Sequence, residues 1–324
     1  MNPVVSVIMS VYGEPEEWLR ESINSILEQT FGDFEFIIVN DNPGREANRR
    51  VLGEYVRRDG RVVVLHNKEN IGLTRSLNRG LEVARGKYVA RMDADDISLS
   101  ERFDKQVSFL EEHLDVGVCG ANIRLFGCRK GEQKYPERDE DCFLFQGSPF
   151  AHPVVMIRAS VLKDNGLFYN PDFRYAQDYE LWSRMQGVTC FHNLQEVLLK
   201  YRITDKQISK KNNREQQQFA AKIRRKGFCR FCQRKGIVYK LDEKLALKHL
   251  LEFKKVVLPV ALTFEERKAI EDFYYYLCRS ITASSCLQVL WYLVSSGDFK
   301  RFSTMEKAKV IVCNIFRGRI IPML

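Results

Sequence analysis

Apolar residues run almost unbroken through VVSVIMSVY (4–12) and again through FEFIIVN (34–40). Runs this short and continuous are the pattern of strands buried on both faces. Between them, EPEEWLRESINSILEQT (14–30) sets Trp18, Leu19, Ile23, Ile26 and Leu27 at helical spacing behind an acidic first turn. NPG after the second run is turn chemistry. Residues 45–58 read as a polar helix and RVVVLHN (61–67) as a third strand. GLTRSLNRGLEVARG (72–86) reads as a helix closed by Gly86, and KYVARMD (87–93) as a fourth strand. Strand and helix in strict alternation predict an open, mostly parallel α/β sheet with helices on both faces. Such sheets bind ligands at the carboxyl ends of their strands. The polar residues there are Ser10, Asp41, Asn70 and the cluster Asp93–Asp96.

Past residue 100 the pattern loosens. A helix (101–114) and a strand pair around VGVCGANIRLFG (116–127) precede SPFAHPVVMIRASVLKDNGLF (148–168) and AQDYELWSRM (176–185). From about residue 205 long basic stretches of helical period take over, with no fixed repeat among them. The chain is therefore read as an α/β domain (1–205) followed by a basic helical module (206–324). Charge sharpens that division. Residues 201–324 hold 26 Lys and Arg against 11 Asp and Glu, a net of +15, whereas the first 200 hold 25 against 31, a net of −6. An acidic front joined to a basic back suggests two jobs.

Composition narrows the class. With 45% hydrophobic and 29% charged residues the 324-residue chain is that of a globular protein. No apolar run reaches 18 residues, so a spanning helix is not expected, and the N-terminal apolar run lacks the charged leader of a signal peptide. Nine scattered cysteines read as reduced thiols, placing the protein in the cytoplasm. Cys229 and Cys232 form a lone CxxC, short of the four ligands a structural zinc needs.

Chemistry concentrates in RMDADD (91–96). An Asp-x-Asp pair at a strand end sends two carboxylates to one side of the chain. One can bind a hard divalent cation while the other takes a ribose hydroxyl or a metal-bound water, since Mg²⁺ or Mn²⁺ is typically held by one or two carboxylates plus substrate phosphates. The same aspartates would also suit a solvated turn that caps the next helix. Asp41 can accept the imide N–H of uracil or another base or ribose donor, and Arg75, near the start of its helix, can face a phosphate. Asp178 precedes Tyr179, Leu181 and Trp182, an apolar helical face that would fix it as a base for a hydroxyl nucleophile. Taken singly, each is also an ordinary turn, surface or cap residue.

The ordered set is specific. VSVIMSVYGEPEEWLRESINSILEQTFGDFEFIIVNDNPG, then NKENIGLTRSLNRGLEVARGKYVARMDADD, then AQDYELW resembles the family 2 glycosyltransferases of GT-A fold over residues 3–205. The resemblance implies an inverting transfer of one sugar from a nucleotide diphosphate sugar, a UDP-sugar favoured, to an acceptor hydroxyl in cell-surface polysaccharide or lipooligosaccharide assembly. It implies nucleotide recognition by Ser10 and Asp41, donor proximity for Asn70, Gly72, Arg75 and Asn78, and a ribose role for Asp93. It further implies a Mn²⁺ or Mg²⁺ ligand in Asp95 and the catalytic base in Asp178. His152, in an AHP stretch similar to those of bacterial polysaccharide transferases, and Trp182 fall on the acceptor side; a lone histidine can equally be a packed loop residue. Two departures stand out: Asn40-Asp41 replaces the usual paired aspartates, and Gln177-Asp178 replaces Glu-Asp. The Gln-x-x-Arg-Trp signature of processive synthases is absent, and QVLW (288–291) does not supply it.

Expected partners are the nucleotide-sugar donor and a glycan or lipid-linked glycan acceptor. The basic amphipathic helices of 206–324 fit peripheral contact with an anionic membrane on its cytoplasmic face, or a solvated cap. Two other classes compete. A sugar nucleotidyltransferase would need a Gly-rich basic loop after the first strand, which SVYGEPEEW does not offer. A nucleic-acid-binding protein would carry a recognition motif, and none is present, so no nucleic acid is expected.

Overall fold

The computed structural model describes residues 2–138, 143–204, 213–241, 247–260 and 262–280. By packing, the chain divides into two units, Met1–Glu140 with Ser148–Ala221 and Asp141–Gly147 with Lys222–Leu324.

The first unit opens as its pattern predicts. Strands β1 (Val5–Val11), β2 (Phe34–Asn40), β3 (Val62–His66) and β4 (Tyr88–Asp93) alternate with helices α1 (Glu16–Leu27), α2 (Glu46–Arg58) and α3 (Leu73–Val83). These four strands are parallel, with β1 between β2 and β4 and Ser10 level with Val39 and Asp93. Both faces of β1 are covered, so Val5, Val7, Ile8 and Met9 are all buried; each aliphatic side chain taken fully from water contributes about 1.5–3 kcal/mol. The corner between α3 and β4 comes so close to β1 that a Cβ at Gly86 would lie 2.5 Å from the Ser6 nitrogen. Ser6 Oγ accepts the Gly86 N–H there and donates to Glu35.

Beyond β4 the sheet becomes mixed. β5 (Ile97–Ser98), α4 (Arg102–Glu112), β6 (Val116–Gly127), β7 (Gly131–Gln133), β8 (Met156–Arg158), α6 (Ala159–Asp164), α7 (Gln177–Met185) and β9 (Cys190–Ile203) also belong to this unit, with α5 (Phe143–Gln146) belonging to the second. The strand order is β3-β2-β1-β4-β8-β6-β9-β5, with β7 on β6. β8 runs antiparallel to β4 and β6, while β9 is parallel to β6 and antiparallel to β5. The expected strand pair at 116–127 is one long strand with short β7 beside it. β9 has no counterpart in the sequence reading. Its ladder with β6 is interrupted around Ala121 and Asn122, and such bulges break the two-residue alternation that would have betrayed a strand.

The second unit has its own core. α5, the part of α8 (Asn213–Arg234) from residue 222 onward, α9 (Leu247–Val256) and α10 (Phe264–Ser280) gather Phe145, Phe228, Phe231, Phe253 and Phe273. Phe228 and Phe273 stack with centroids 4.3 Å apart. Thr263 and Glu266 close a capping box at the start of α10, each side chain accepting the other's backbone N–H. Tyr274 is core, and of the CxxC pair Cys232 is buried and Cys229 exposed. QVLW and the last basic stretch, TMEKAKVIVCNIFRGR, lie outside the described residues.

Candidate active site

The acidic turn is built on α1. Ser22 Oγ donates to the Asp93 carbonyl at 2.8 Å, and Ser25 Oγ accepts the Ser98 N–H at 3.0 Å. Gln29 donates to the Leu99 carbonyl and accepts the Phe103 N–H, carrying the support into α4. Small hydroxyls on the buried face of an amphipathic helix thus hold both ends of the turn. Its middle is held from β9: Arg202 Nε donates to the Asp95 carbonyl and the Arg202 N–H to Asp96 Oδ1.

The turn carries more negative charge than its surroundings neutralise. Asp93 is paired with Arg91, a guanidinium buried inside β4, at 2.5 Å. Asp95 is pushed up to about 7 by burial, then by the charges of Asp93 and Glu14. Asp96, 1% exposed, is raised by burial and by Asp93 and Asp95, and its Oδ2 has no partner. Glu14, just past β1, is itself raised, first by burial, with Asp93 contributing. An orphaned buried carboxylate oxygen beside unneutralised aspartates fits a divalent cation. Among the described residues no group of three or more ligating side chains is assembled, so a cation here would take one or two carboxylates and complete its shell with diphosphate oxygens and water.

The residues expected to meet the nucleotide lie at and beyond the ends of β1, β2 and β3. Ser10, next to last in β1, stands level with Asp93. Asp41 is 2% exposed, and its carboxylate accepts Asn67 Nδ2 and the Ile71 N–H on Oδ1 and the Gly72 N–H on Oδ2. It therefore shapes the loop into α3, and most of its capacity to take a base donor is already spent. Asn70 Oδ1 shares the Gly72 N–H, at a residue with φ of 84°. Arg75 is exposed in the first turn of α3, with no protein partner among the described residues.

The residues expected on the acceptor side lie on and around α7. Asp178 is the second residue of α7, inside the first turn rather than at its cap. It is raised, first by burial, with Arg91 opposing and Asp93 adding. One buried cation, Arg91, thus acts on both the metal-side and the α7 carboxylates. His152 Nε2 lies 2.8 Å from the Tyr169 hydroxyl, and burial holds the imidazole neutral. Tyr169 is locked to α3 by paired bonds with Asn78, Nδ2 to the Tyr169 carbonyl and Tyr169 N–H to Oδ1. Trp182 is 0% exposed and packs edge-on against Phe150 and His152.

Several residues of the site went unseen in the sequence. Tyr135 of the segment after β7 lies within electrostatic reach of Asp178, and Tyr201 of β9 within reach of Asp93, Asp95 and Asp96. Arg91 had a signal: a charged residue inside an apolar strand. Glu14 and Arg202 had none, because the segment after β1 and strand β9 approach the turn only in the folded chain.

The sequence profile described as Glycosyl transferase family 2 matches residues 6–166. An uncharacterized glycosyltransferase of Haemophilus influenzae is 31% identical over 316 residues, covering 92% of this chain and 94% of that protein. The putative glycosyltransferase EpsE of Bacillus subtilis is 37% identical over 62% of this chain and 73% of its own length, and the O-antigen biosynthesis glycosyltransferase WbnJ of Escherichia coli 35% over 64% and 82%. In fold, the chain is similar to S. aureus TarS 1-349 in complex with UDP-GlcNAc (TM-score 0.56, 15% identity, 97% of this chain and 90% of that one). It is equally similar to a mannosyltransferase of Pyrobaculum calidifontis in complex with GDP-Man and Mn²⁺ (TM-score 0.55, 15% identity, 98% and 88%). The GT-A-like sheet and the extended match to glycosyltransferases agree, and the chain belongs to glycosyl transferase family 2.

Proposed function

We propose that this glycosyltransferase moves a single sugar from a nucleotide diphosphate sugar, a UDP-sugar favoured, to an acceptor hydroxyl, with inversion, during assembly of a surface polysaccharide or lipooligosaccharide. The observation that carries the proposal is the pair of carboxylates on separate elements, Asp93 on β4 and Asp178 on α7, with Arg91 acting on both. The names of EpsE, WbnJ and the amylovoran biosynthesis glycosyltransferase AmsE support the pathway class.

The donor enters over the ends of β1 and β2, its uridine meeting Ser10 and the loop that Asp41 shapes. Asn70 and Arg75 face the phosphates at the start of α3, where helix N–H groups favour anions. Asp93 takes the ribose. Asp95 would hold Mn²⁺ or Mg²⁺, which when bound supplies a Lewis acid for the departing diphosphate. Asp178 accepts the acceptor's proton as that hydroxyl oxygen bonds to the anomeric carbon and the bond to the phosphate oxygen breaks on the opposite face. His152, neutral and tied to Tyr169, orients the wall beside the acceptor. The acceptor is a glycan or lipid-linked glycan.

A donor screen tests the reading. Uridine, guanosine and thymidine diphosphate sugars, each with Mn²⁺, are scored by thermal stabilisation and by transfer to isolated cell-envelope acceptors. The expected result is stabilisation by UDP-sugars and loss of transfer in Asp178→Asn, with donor affinity within about twofold of wild type, because the base acts only on the acceptor. An Asp178→Asn protein with wild-type transfer would remove the base assignment.

A further inference from the structure

We infer that Arg202 is the positioning residue of the acidic turn, through which β9 sets where the Asp95 carboxylate stands. The inference rests on the metal reading of Asp95 given above.

Contacts from several elements converge on this one residue. Its Nε donates to the Asp95 carbonyl at 2.7 Å, and its backbone N–H to Asp96 Oδ1 at 2.8 Å. Nη2 pairs with Glu21 of α1 at 2.5 Å. The guanidinium lies between two aromatic rings, 4.7 Å from the Trp18 centroid and 4.4 Å from that of Phe126. Helix α1, strand β6 and strand β9 are thereby joined at one planar cation whose side chain is 11% exposed.

Residue type matters to this arrangement. A guanidinium is flat enough to be sandwiched and rigid enough to aim one N–H at a carbonyl while another meets a carboxylate; an ammonium on a flexible stem does neither. Position matters as well. Ser22 and Ser25 hold residues 93 and 98, the ends of the turn. The carbonyl of Asp95 and the carboxylate of Asp96, between those ends, are held by Arg202. A turn pinned only at its ends leaves Asp95 free to rotate away from a bound cation. Partners that orient a metal ligand commonly control metal affinity about 10- to 100-fold.

The test uses the full chain with Mn²⁺ and UDP as probes. Free Mn²⁺ is followed by electron paramagnetic resonance during titration of wild type, Arg202→Lys, Arg202→Gln and Phe126→Leu. Metal-free UDP binding, circular dichroism and melting temperature are recorded in parallel. Both Arg202 variants are expected to bind Mn²⁺ about 10- to 100-fold more weakly, with metal-free UDP binding and circular dichroism unchanged, and to recover transfer as Mn²⁺ is raised. Phe126→Leu leaves every hydrogen bond in place and removes half of the sandwich, so it should fall between them and wild type. Wild-type Mn²⁺ affinity in Arg202→Lys and Arg202→Gln overturns the inference while leaving the metal reading intact. Loss of Mn²⁺ binding only in step with loss of circular dichroism also overturns it. A wild-type protein that binds no Mn²⁺ in the presence of UDP overturns the metal reading first, and the inference with it.

Discussion

At the scale of single residues, the site is governed by burial of charge. As the proposed base, Asp178 must be ionised to take a proton, and burial raises its pKa above the ordinary carboxylate value. The acid limb of the pH–rate profile is therefore expected above about pH 4, the usual aspartate range, and a profile of kcat/KM against pH reads it directly. Asp95 makes a second expectation. Its folded pKa, about 7, lies above the ordinary aspartate value of about 4, so its contribution to stability is full below pH ~4 and is lost as pH rises through ~7. Metal-free protein should accordingly melt lower at pH 8 than at pH 5.5 through this group. Asp95→Asn, which removes the buried charge, should raise the metal-free melting temperature at pH 8 by roughly 2–4 °C if the relief is about 1 kcal/mol. Calorimetry of both proteins with and without Mn²⁺ checks the sign: the cation should stabilise wild type and not the variant.

At the scale of elements, what matters is how closely the backbone segments approach. Gly86→Ala would drive a Cβ into backbone atoms of Val5 and Ser6, at 2.8 and 2.5 Å. The strand cannot yield as a flexible side chain would, so a loss of about 1–3 kcal/mol is expected on denaturant unfolding. Asn78→Ala makes a different prediction. It unties α3 from Tyr169, the partner of His152, and leaves the acidic turn alone. Acceptor KM should rise several-fold while UDP affinity holds, a split that steady-state kinetics would show. The parallel half of the sheet and its helices were legible in the residues, because each short apolar run and each helical stripe is a local pattern. The mixed half was not: β9 is bulged against β6, and β8 is only three residues long.

At the scale of the whole molecule, two units with separate cores follow from the packing. Phe273→Ala removes a fully buried ring from the second core, an expected loss of about 3–5 kcal/mol. Thermal unfolding followed by fluorescence and by UDP protection should show that loss in one transition, with the UDP-protected transition unmoved. Among the described residues no helix is long and apolar enough to cross a membrane. From the net +15 of residues 201–324 we propose contact of this basic segment with an anionic surface, against the alternative of a solvated cap. Flotation with phosphatidylglycerol vesicles, lost in high salt and absent with phosphatidylcholine, is the expected outcome.

The sequence by itself determined the fold class, the strand-end carboxylates and the order of motifs that marks a glycosyltransferase, because these are carried by neighbours along the chain. Tertiary structure alone decided what neutralises those carboxylates and what steadies them. Arg91 links Asp93 and Asp178 electrostatically from beneath, and Glu14 adds charge to Asp95 from the end of β1. Asp41 turns inward to hold its loop, Trp182 is fully buried, and Arg202 reaches the acidic turn from more than a hundred residues away. Each of these depends on which elements lie side by side in the sheet, and electrostatic and packing energies follow distance in space, for which separation along the chain is a poor guide.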